Sequence, residues 1–416
     1  GTYNFIGATD PHLELALANP AELTEEEREI IEEEFFWINP YPLDDDGDDP
    51  YFSKRYAALN EVRKTRSLTE EEIRDLTALF FLWGVSPRLH ERYGIEHLRG
   101  QDHYSREDVI EIIRAQRKIC ADLIDMYRWA DQNGSEIITS PYYHPILPLL
   151  TSDGWEEVTK TSWEEDAYLQ LRMAVERYKE IFGHEPAGLW PPEQAVSQDV
   201  LEPIERAGFD WFVTDEGILE KTTGESASFT SKTEVYRVEG TTKNLNVIFR
   251  DSEISDRISF SYGNKPTEAA LDDLMGELRA VKNKLENPGD HLLTLALDGE
   301  NWMFMAEYPN NGRNFLEGFY DRLEGANWIK TVTPANFFKA NPGKTNTLET
   351  LATGSWLGDL ATWRGEPEED AAWRRIIEAR RIEDKSSSGK EKSKSILAAQ
   401  GSDWFWWYVR DGPGLR

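Results

Sequence analysis

Glu193 closes the segment Gly188-Leu189-Trp190-Pro191-Pro192-Glu193, and about a hundred residues later Asp298 follows the apolar run Leu292 to Leu297. Carboxylates delivered by two strand ends to one face of a parallel barrel suit glycosidic bond cleavage: one attacks the anomeric carbon and the other handles the proton. Two prolines remove backbone freedom just ahead of Glu193, as a group that must be held still requires. The bland alternatives stay open at this point. A glutamate after a Pro-Pro turn is often a surface residue, and an aspartate after a strand can cap the next helix.

A third strand-like segment, Glu136 to Ser140, runs into Pro141-Tyr142-Tyr143-His144-Pro145. Flat amphipathic rings stack on sugar faces while offering a hydrogen-bonding edge, so a third strand end carrying polar and aromatic groups strengthens the idea of a common face, although aromatics also fill cores. A lone histidine is equally a structural residue. The other histidines, His12, His90, His97, His103, His184 and His291, lack the spacing of a metal-binding pair on a helix. The chain also lacks the Gly-rich dinucleotide and phosphate loops and the Gly-x-Ser-x-Gly elbow. The expectation is therefore no metal and no cofactor.

The formal net charge of -31 repels phosphate, so the expected partner is a neutral molecule rather than nucleic acid or an anionic membrane surface. No stretch of about 18 apolar residues is present, which predicts a soluble and, by expectation, cytoplasmic chain. Cys120 is the single cysteine, so an intrachain disulfide and a cysteine-built zinc site are excluded, and the thiol is expected to be buried and inert. Oligomeric state is not legible.

The elements that must position these residues come in two textures. Up to about residue 135 the pattern is helical, with capping signatures at Thr24, Thr69 and Ser105, an acidic loop at Asp44 to Asp49, and Gly134 as a stop. Beyond it, strand and helix alternate. Strands are expected at Ala187 to Trp190, Trp211 to Thr214, Val247 to Arg250, Leu292 to Leu297 and around Ile329 to Val332. Helices are expected at Asp166 to Phe182, Gln198 to Ala207, Pro266 to Leu285 and Asn314 to Leu323. The run Leu292 to Leu297 reads as a strand buried on both faces. Such alternation implies an α/β fold, either a barrel or an open doubly wound sheet. From about Gly343 the pattern is helical again, most clearly at Glu368 to Ile382. A polar break, Lys385 to Lys394, then leads to Trp404-Phe405-Trp406-Trp407-Tyr408, a group expected to pack on the main domain or line a site.

Taken together, these segments resemble glycoside hydrolase family 57, the retaining enzymes of α-glucans. Ile137 to Leu150 looks like the family's second motif, in which a histidine lines the site. Gly188 to Glu193 resembles the third, whose glutamate is the nucleophile, and Leu295 to Glu300 the fourth, whose aspartate is the acid/base. Gly354-Ser355-Trp356 resembles the fifth, an aromatic segment lining the substrate site. The resemblance implies Glu193 and Asp298 as the catalytic pair, roughly 5 to 5.5 Å apart. It implies His144, Tyr143, Trp190, Trp302 and Trp356 as sugar contacts and an α-glucan as substrate. One departure is clear: the family's first motif, His-Gln-Pro, is absent from this sequence.

The expected fold is thus a (β/α) barrel resembling the seven-stranded family barrel without its first strands. Residues 1–342 would hold the barrel with a helical insertion at about 15–133, and residues 343–416 a helical region packing on the active-site face. The expected activity is hydrolysis of α-1,4 or α-1,6 glucans, with glucanotransfer or branching as an alternative. Two rivals belong to other classes: a glucan-binding protein without turnover, and a metal-dependent polysaccharide deacetylase, which the histidine spacing disfavours.

Overall fold

The computed structural model describes residues 10–37, 50–151, 163–241, 245–299, 301, 312–386 and 393–408. Its contacts divide the chain into two compact units. The first comprises residues 1–126, 258–272 and 298–326, and the second residues 127–257, 273–297 and 327–416.

The first unit is helical, and its helix starts follow from local chemistry. Thr24 and Thr69 each accept from the backbone N–H three residues on, and Glu27 and Glu72 reach back to the cap N–H in return. The capping expected at Thr24 and Thr69 therefore forms, opening the helices Glu25–Glu34 and Glu70–Trp83, and Ser105 and Asp108 exchange the same kind of bonds. Asp75, fully buried on the second of these, is matched by the Arg55 guanidinium and by the Tyr104 backbone N–H. Phe35 stacks on Phe80 at 4.2 Å beside buried Ile31, Leu76 and Leu79. The long helix Arg106–Gln132 begins after Ser105 and ends before Gly134, whose φ of 99° suits glycine. Cys120 lies exposed on this helix, so the expectation of a buried thiol fails. The acidic loop at 44–49 lies outside the described residues.

In the second unit, β1 (Gly188–Leu189), β2 (Trp211–Asp215) and β4 (Asn246–Arg250) are parallel neighbours in chain order. Single parallel bridges extend the series at both sides, Thr139 to Leu189 and Arg250 to Thr294. Five successive strand positions therefore lie side by side in sequence order, as in a barrel wall. Alternate residues face opposite layers. Phe212, Val247 and Phe249 join the core built on helices Glu164–Phe182 and Leu201–Ala207, whereas Trp211, Val213 and Ile248 join the one containing Phe337. Burial on both sides explains the apolar runs Trp211 to Val213 and Val247 to Phe249 at the centre of the sheet.

Three features differ from the sequence expectation. A hairpin-like addition, β3 (Val235–Val238), pairs antiparallel with the start of β4 and parallel with β5 (Thr345–Leu348). β3 occupies the start of that edge, and the segment Leu292 to Leu297 meets β4 at its end, through Thr294 and Arg250. Only Ala296 in this segment is buried, so it is not the two-sided core strand its composition suggests. The residues Ile329 to Val332 form no paired strand, although Val332 packs against the second core.

The helix Pro367–Ser386 and the two short helices after it return to the second unit's core. Phe405 stacks flat on Trp373 at 4.2 Å, and the Trp373 indole donates to the Trp363 carbonyl. Trp404, Trp407 and Tyr408 stay exposed, so burial of the aromatic group is only partial. No helix among the described residues is long and apolar enough to cross a membrane.

Gly188 is forced by a close approach. A Cβ there would stand 2.3 Å from the Trp211 ring and 2.7 Å from Ile138. Gly188→Val is expected to lower stability by about 1–3 kcal/mol through overpacking, measured by denaturant unfolding.

Glu369 supplies a pH effect. It is fully buried in the first turn of Pro367–Ser386, and Oε2 accepts the Glu366 backbone N–H. Burial pushes its carboxyl from 4.5 up to about 7; that backbone N–H opposes the rise, and neighbouring Glu366, Asp370 and Glu368 add to it. The folded state keeps a proton that the unfolded state has released, so stability should fall as pH rises from about 4.5 to about 7 and level off above. Glu369→Gln should therefore raise Tm at about pH 8 and leave it nearly unchanged at about pH 4, as thermal scans would show.

Candidate active site

The site grows from the end of β1. Trp190 continues the strand by donating its N–H to the Thr139 carbonyl at 2.9 Å, and Pro191 and Pro192 then stop further pairing. The chain folds into a tight turn in which Glu193 has φ 54° and Gln194 φ 51°. Two successive side-chain-bearing residues in the left-handed region cost about 1 kcal/mol or more each, and persist only when their surroundings hold them.

The surroundings are specific. The Thr214 hydroxyl, on β2, donates to the Gln194 carbonyl at 2.7 Å. Val196 and Gly354 exchange a pair of backbone bonds at 2.9 and 3.1 Å. Trp356 binds Glu193 twice: its backbone N–H donates to the Glu193 carbonyl at 3.2 Å, and its indole Nε1–H to carboxylate Oε2 at 2.9 Å. The backbone that carries Glu193 and the carboxylate itself are thus located by one loop. Trp190 completes the group, meeting Trp356 edge to face at 5.9 Å.

That loop is itself pinned. Lys221 Nζ donates to the Gly358 carbonyl at 2.7 Å and to the Thr353 carbonyl at 3.3 Å, and the Ser355 hydroxyl donates to the Asp359 carbonyl at 2.7 Å. Gly354 permits the latch to Val196, since a Cβ there would stand 2.5 Å from the Gly358 carbonyl oxygen and 2.8 Å from Ile218.

His144 and Tyr143 form a separate group. His144, at φ 56°, shares a hydrogen bond between Nδ1 and the Ser402 hydroxyl at 2.9 Å, and its carbonyl accepts the Ser402 N–H at 2.9 Å. Tyr143 donates its N–H to the Gln170 side chain and meets Tyr142 edge to face. Burial, aided by Tyr142, raises the Tyr143 phenol above its usual range. Gln170 continues into a buried network: it donates to the Leu397 carbonyl, Gln400 donates to Asp166, and Asp166 accepts from Nε and Nη2 of Arg380, each at 2.8 Å. The C-terminal helices therefore hold the His144 turn.

Asp298 belongs to the first unit, half-buried, with its carbonyl accepting the Asn301 N–H at 3.1 Å. Trp302 lies outside the described residues, as does Glu300. Among the described residues, His97, Asp108 and Glu111 bring possible metal-ligand atoms within 4.8 Å of one another, on the first unit. Asp108 already accepts from the Ser105 N–H and hydroxyl, as a helix cap does.

Sequence reasoning missed Asp215 and Arg250, buried charged residues that end β2 and β4. The signal was available: a charge closing an apolar run at a strand's carboxyl end, the same feature that singles out Glu193.

The sequence profile of glycosyl hydrolase family 57 matches residues 24–349. The chain belongs to glycosyl hydrolase family 57. It is accordingly an enzyme of glycosidic bonds, and its sheet is part of the family's (β/α) barrel. No match was found among curated proteins. Among solved structures it is similar to a family 57 branching enzyme of Thermococcus kodakaraensis, with 18% identity, 86% of this chain and 71% of that one covered, and a TM-score of 0.57. The branching enzyme of Pyrococcus horikoshii gives 17% identity, coverage of 86% and 71%, and a TM-score of 0.56. An α-amylase of Thermotoga maritima gives 14%, 87% and 75%, and 0.55. At these identities the likeness is one of fold.

For this family 57 chain, Gly354→Ala is expected to spring the Val196 latch and displace Trp356. The change should lower stability by about 1–3 kcal/mol and alter the near-UV circular dichroism of the tryptophans.

Proposed function

We propose that this family 57 enzyme acts on α-glucans by a retaining double displacement, with Glu193 as nucleophile and Asp298 as acid/base. One observation carries the reading: Glu193 stands at the end of β1 in a left-handed backbone conformation, its carboxylate bound by the Trp356 indole. Strain that the surroundings over-determine is characteristic of functional positions, and a carboxylate fixed at a strand's carboxyl end beside two tryptophans suits a sugar ring.

In the first step a Glu193 oxygen attacks the anomeric carbon. The bond to the leaving oxygen breaks as Asp298 gives that oxygen its proton. In the second, Asp298 takes a proton from water or from an acceptor sugar hydroxyl, whose oxygen displaces Glu193 and restores the original configuration. Water as acceptor makes the enzyme amylase-like; a sugar hydroxyl makes it a glucanotransferase or branching enzyme. Trp190 and Trp356 supply stacking faces, and His144, Tyr143 and Trp302 are proposed as further sugar contacts.

The test is turnover of soluble starch and maltoheptaose, with products separated by chromatography, for the parent chain, Glu193→Gln and Asp298→Asn. Both variants should lose activity by roughly a thousandfold or more. Glu193→Ala supplied with azide should release a glycosyl azide of inverted configuration. Turnover surviving Glu193→Gln overturns the assignment, whereas binding of starch by a folded parent chain without turnover favours a binding-only protein.

A further inference from the structure

Arg250 is the last residue of β4, and its side chain is 7% exposed. Nε donates to Asp215 Oδ2 at 2.6 Å. Nη1 donates to the Ala296 carbonyl at 3.3 Å and pairs with Asp256 Oδ1 at 3.1 Å. Asp215 is itself fixed, because Oδ2 also accepts the Ser252 hydroxyl at 2.7 Å and Oδ1 accepts the Gly217 N–H at 2.8 Å, capping the helix Glu216–Thr223. The guanidinium is therefore located by three separate segments: the end of β2, the helix that follows β4, and the stretch after Thr294.

The guanidinium also meets the indole of Trp356, whose ring centroid lies 5.2 Å from the guanidinium carbon. A structural ion pair would be satisfied by Asp215 and Asp256 alone. Here the cation also meets the indole whose Nε1–H is bound to Glu193. A guanidinium held against an indole face restricts that ring's tilt, and the ring's tilt sets where its N–H points.

We propose that Arg250 is a positioning residue for Glu193, acting through Trp356. The inference rests on the reading of Glu193 as nucleophile. It assigns Arg250 a function in the chemical step without contact with sugar: rigid strand ends orient the guanidinium, the guanidinium orients the indole, and the indole orients the carboxylate. Lysine could keep the charge beside Asp215, but it has no planar fork to span three partners and lie against a ring.

The experiment measures kcat and KM on maltoheptaose for the parent, Arg250→Lys, Trp356→Phe and the double variant, with Tm for each. Arg250→Lys should lower kcat about 10- to 100-fold and raise KM by less than kcat falls, since misplacing a reacting group costs chiefly rate while the shifted Trp356 ring also stacks less well on sugar. The double variant should be no slower than Trp356→Phe alone, because the link that carries the effect has already been removed. Multiplying losses, or parent-like kcat in a folded Arg250→Lys chain, overturns the proposal. Should Arg250→Lys fail to fold, Asp215→Asn in both Trp356 backgrounds takes its place, with the same expectation and the same refutation. Glu193→Gln separates the two levels. Turnover retained there sinks the nucleophile reading, while an inactive Glu193→Gln beside an unaffected Arg250→Lys sinks only the role of Arg250.

Discussion

The two hydrogen bonds between Trp356 and Glu193 are the constraint on which the rest of the site depends. A turn with two consecutive left-handed, non-glycine residues does not hold itself in place. It is held by a loop more than a hundred and fifty residues away in sequence, which grips the Glu193 carbonyl with a backbone N–H and the carboxylate with an indole N–H. The Gly354 latch and the Lys221 clamp matter because they keep that loop within reach. A carboxylate proposed as a nucleophile gains little from strand placement alone. It needs its supporting groups to be rigid too, and here each of them is bonded to something further out.

The same logic appears in how buried charge is distributed. Asp166 with Arg380, Asp215 with Arg250, and Asp251 with Lys232 are nearly dry pairs, each with further hydrogen bonds or a second ionic partner. Replacing such pairs by apolar residues is often neutral for stability, so they are poor evidence of stabilisation. Their geometry is the informative part. Each ties together segments distant in the chain: a barrel helix to the C-terminal helices, β2 to β4, and β4 to the short turn at Lys232. An ionic bond that tolerates only one arrangement of its partners fixes registry where apolar packing alone would permit sliding.

What could be read in advance follows from the range of the forces involved. The capping boxes at Thr24 and Thr69 were legible because the donor and acceptor lie within four residues. The strands Trp211–Asp215 and Asn246–Arg250 were legible because burial on both faces leaves a three-residue apolar run in each, Trp211 to Val213 and Val247 to Phe249. The same rule misled at Leu292 to Leu297. Apolar composition does not say whether an edge of the sheet is vacant, and β3 had taken the start of β4's. Cys120 was misread for a related reason: helical periodicity defines a stripe but not which neighbour, if any, covers it.

The α/β class, the family, the helix starts and the candidacy of Glu193 are all legible from the order of residues alone. These depend on local spacing and on residue chemistry preserved within short segments. The bond between Glu193 and Trp356, the left-handed conformation of Glu193, the pairing of His144 with Ser402 and the placement of Arg250 against the indole emerge from the fold. Those are contacts between segments whose meeting depends on every strand and helix between them. No spacing rule in a single chain encodes them, because many arrangements bury the same apolar surface and only the folded one brings these particular donors and acceptors within 3 Å.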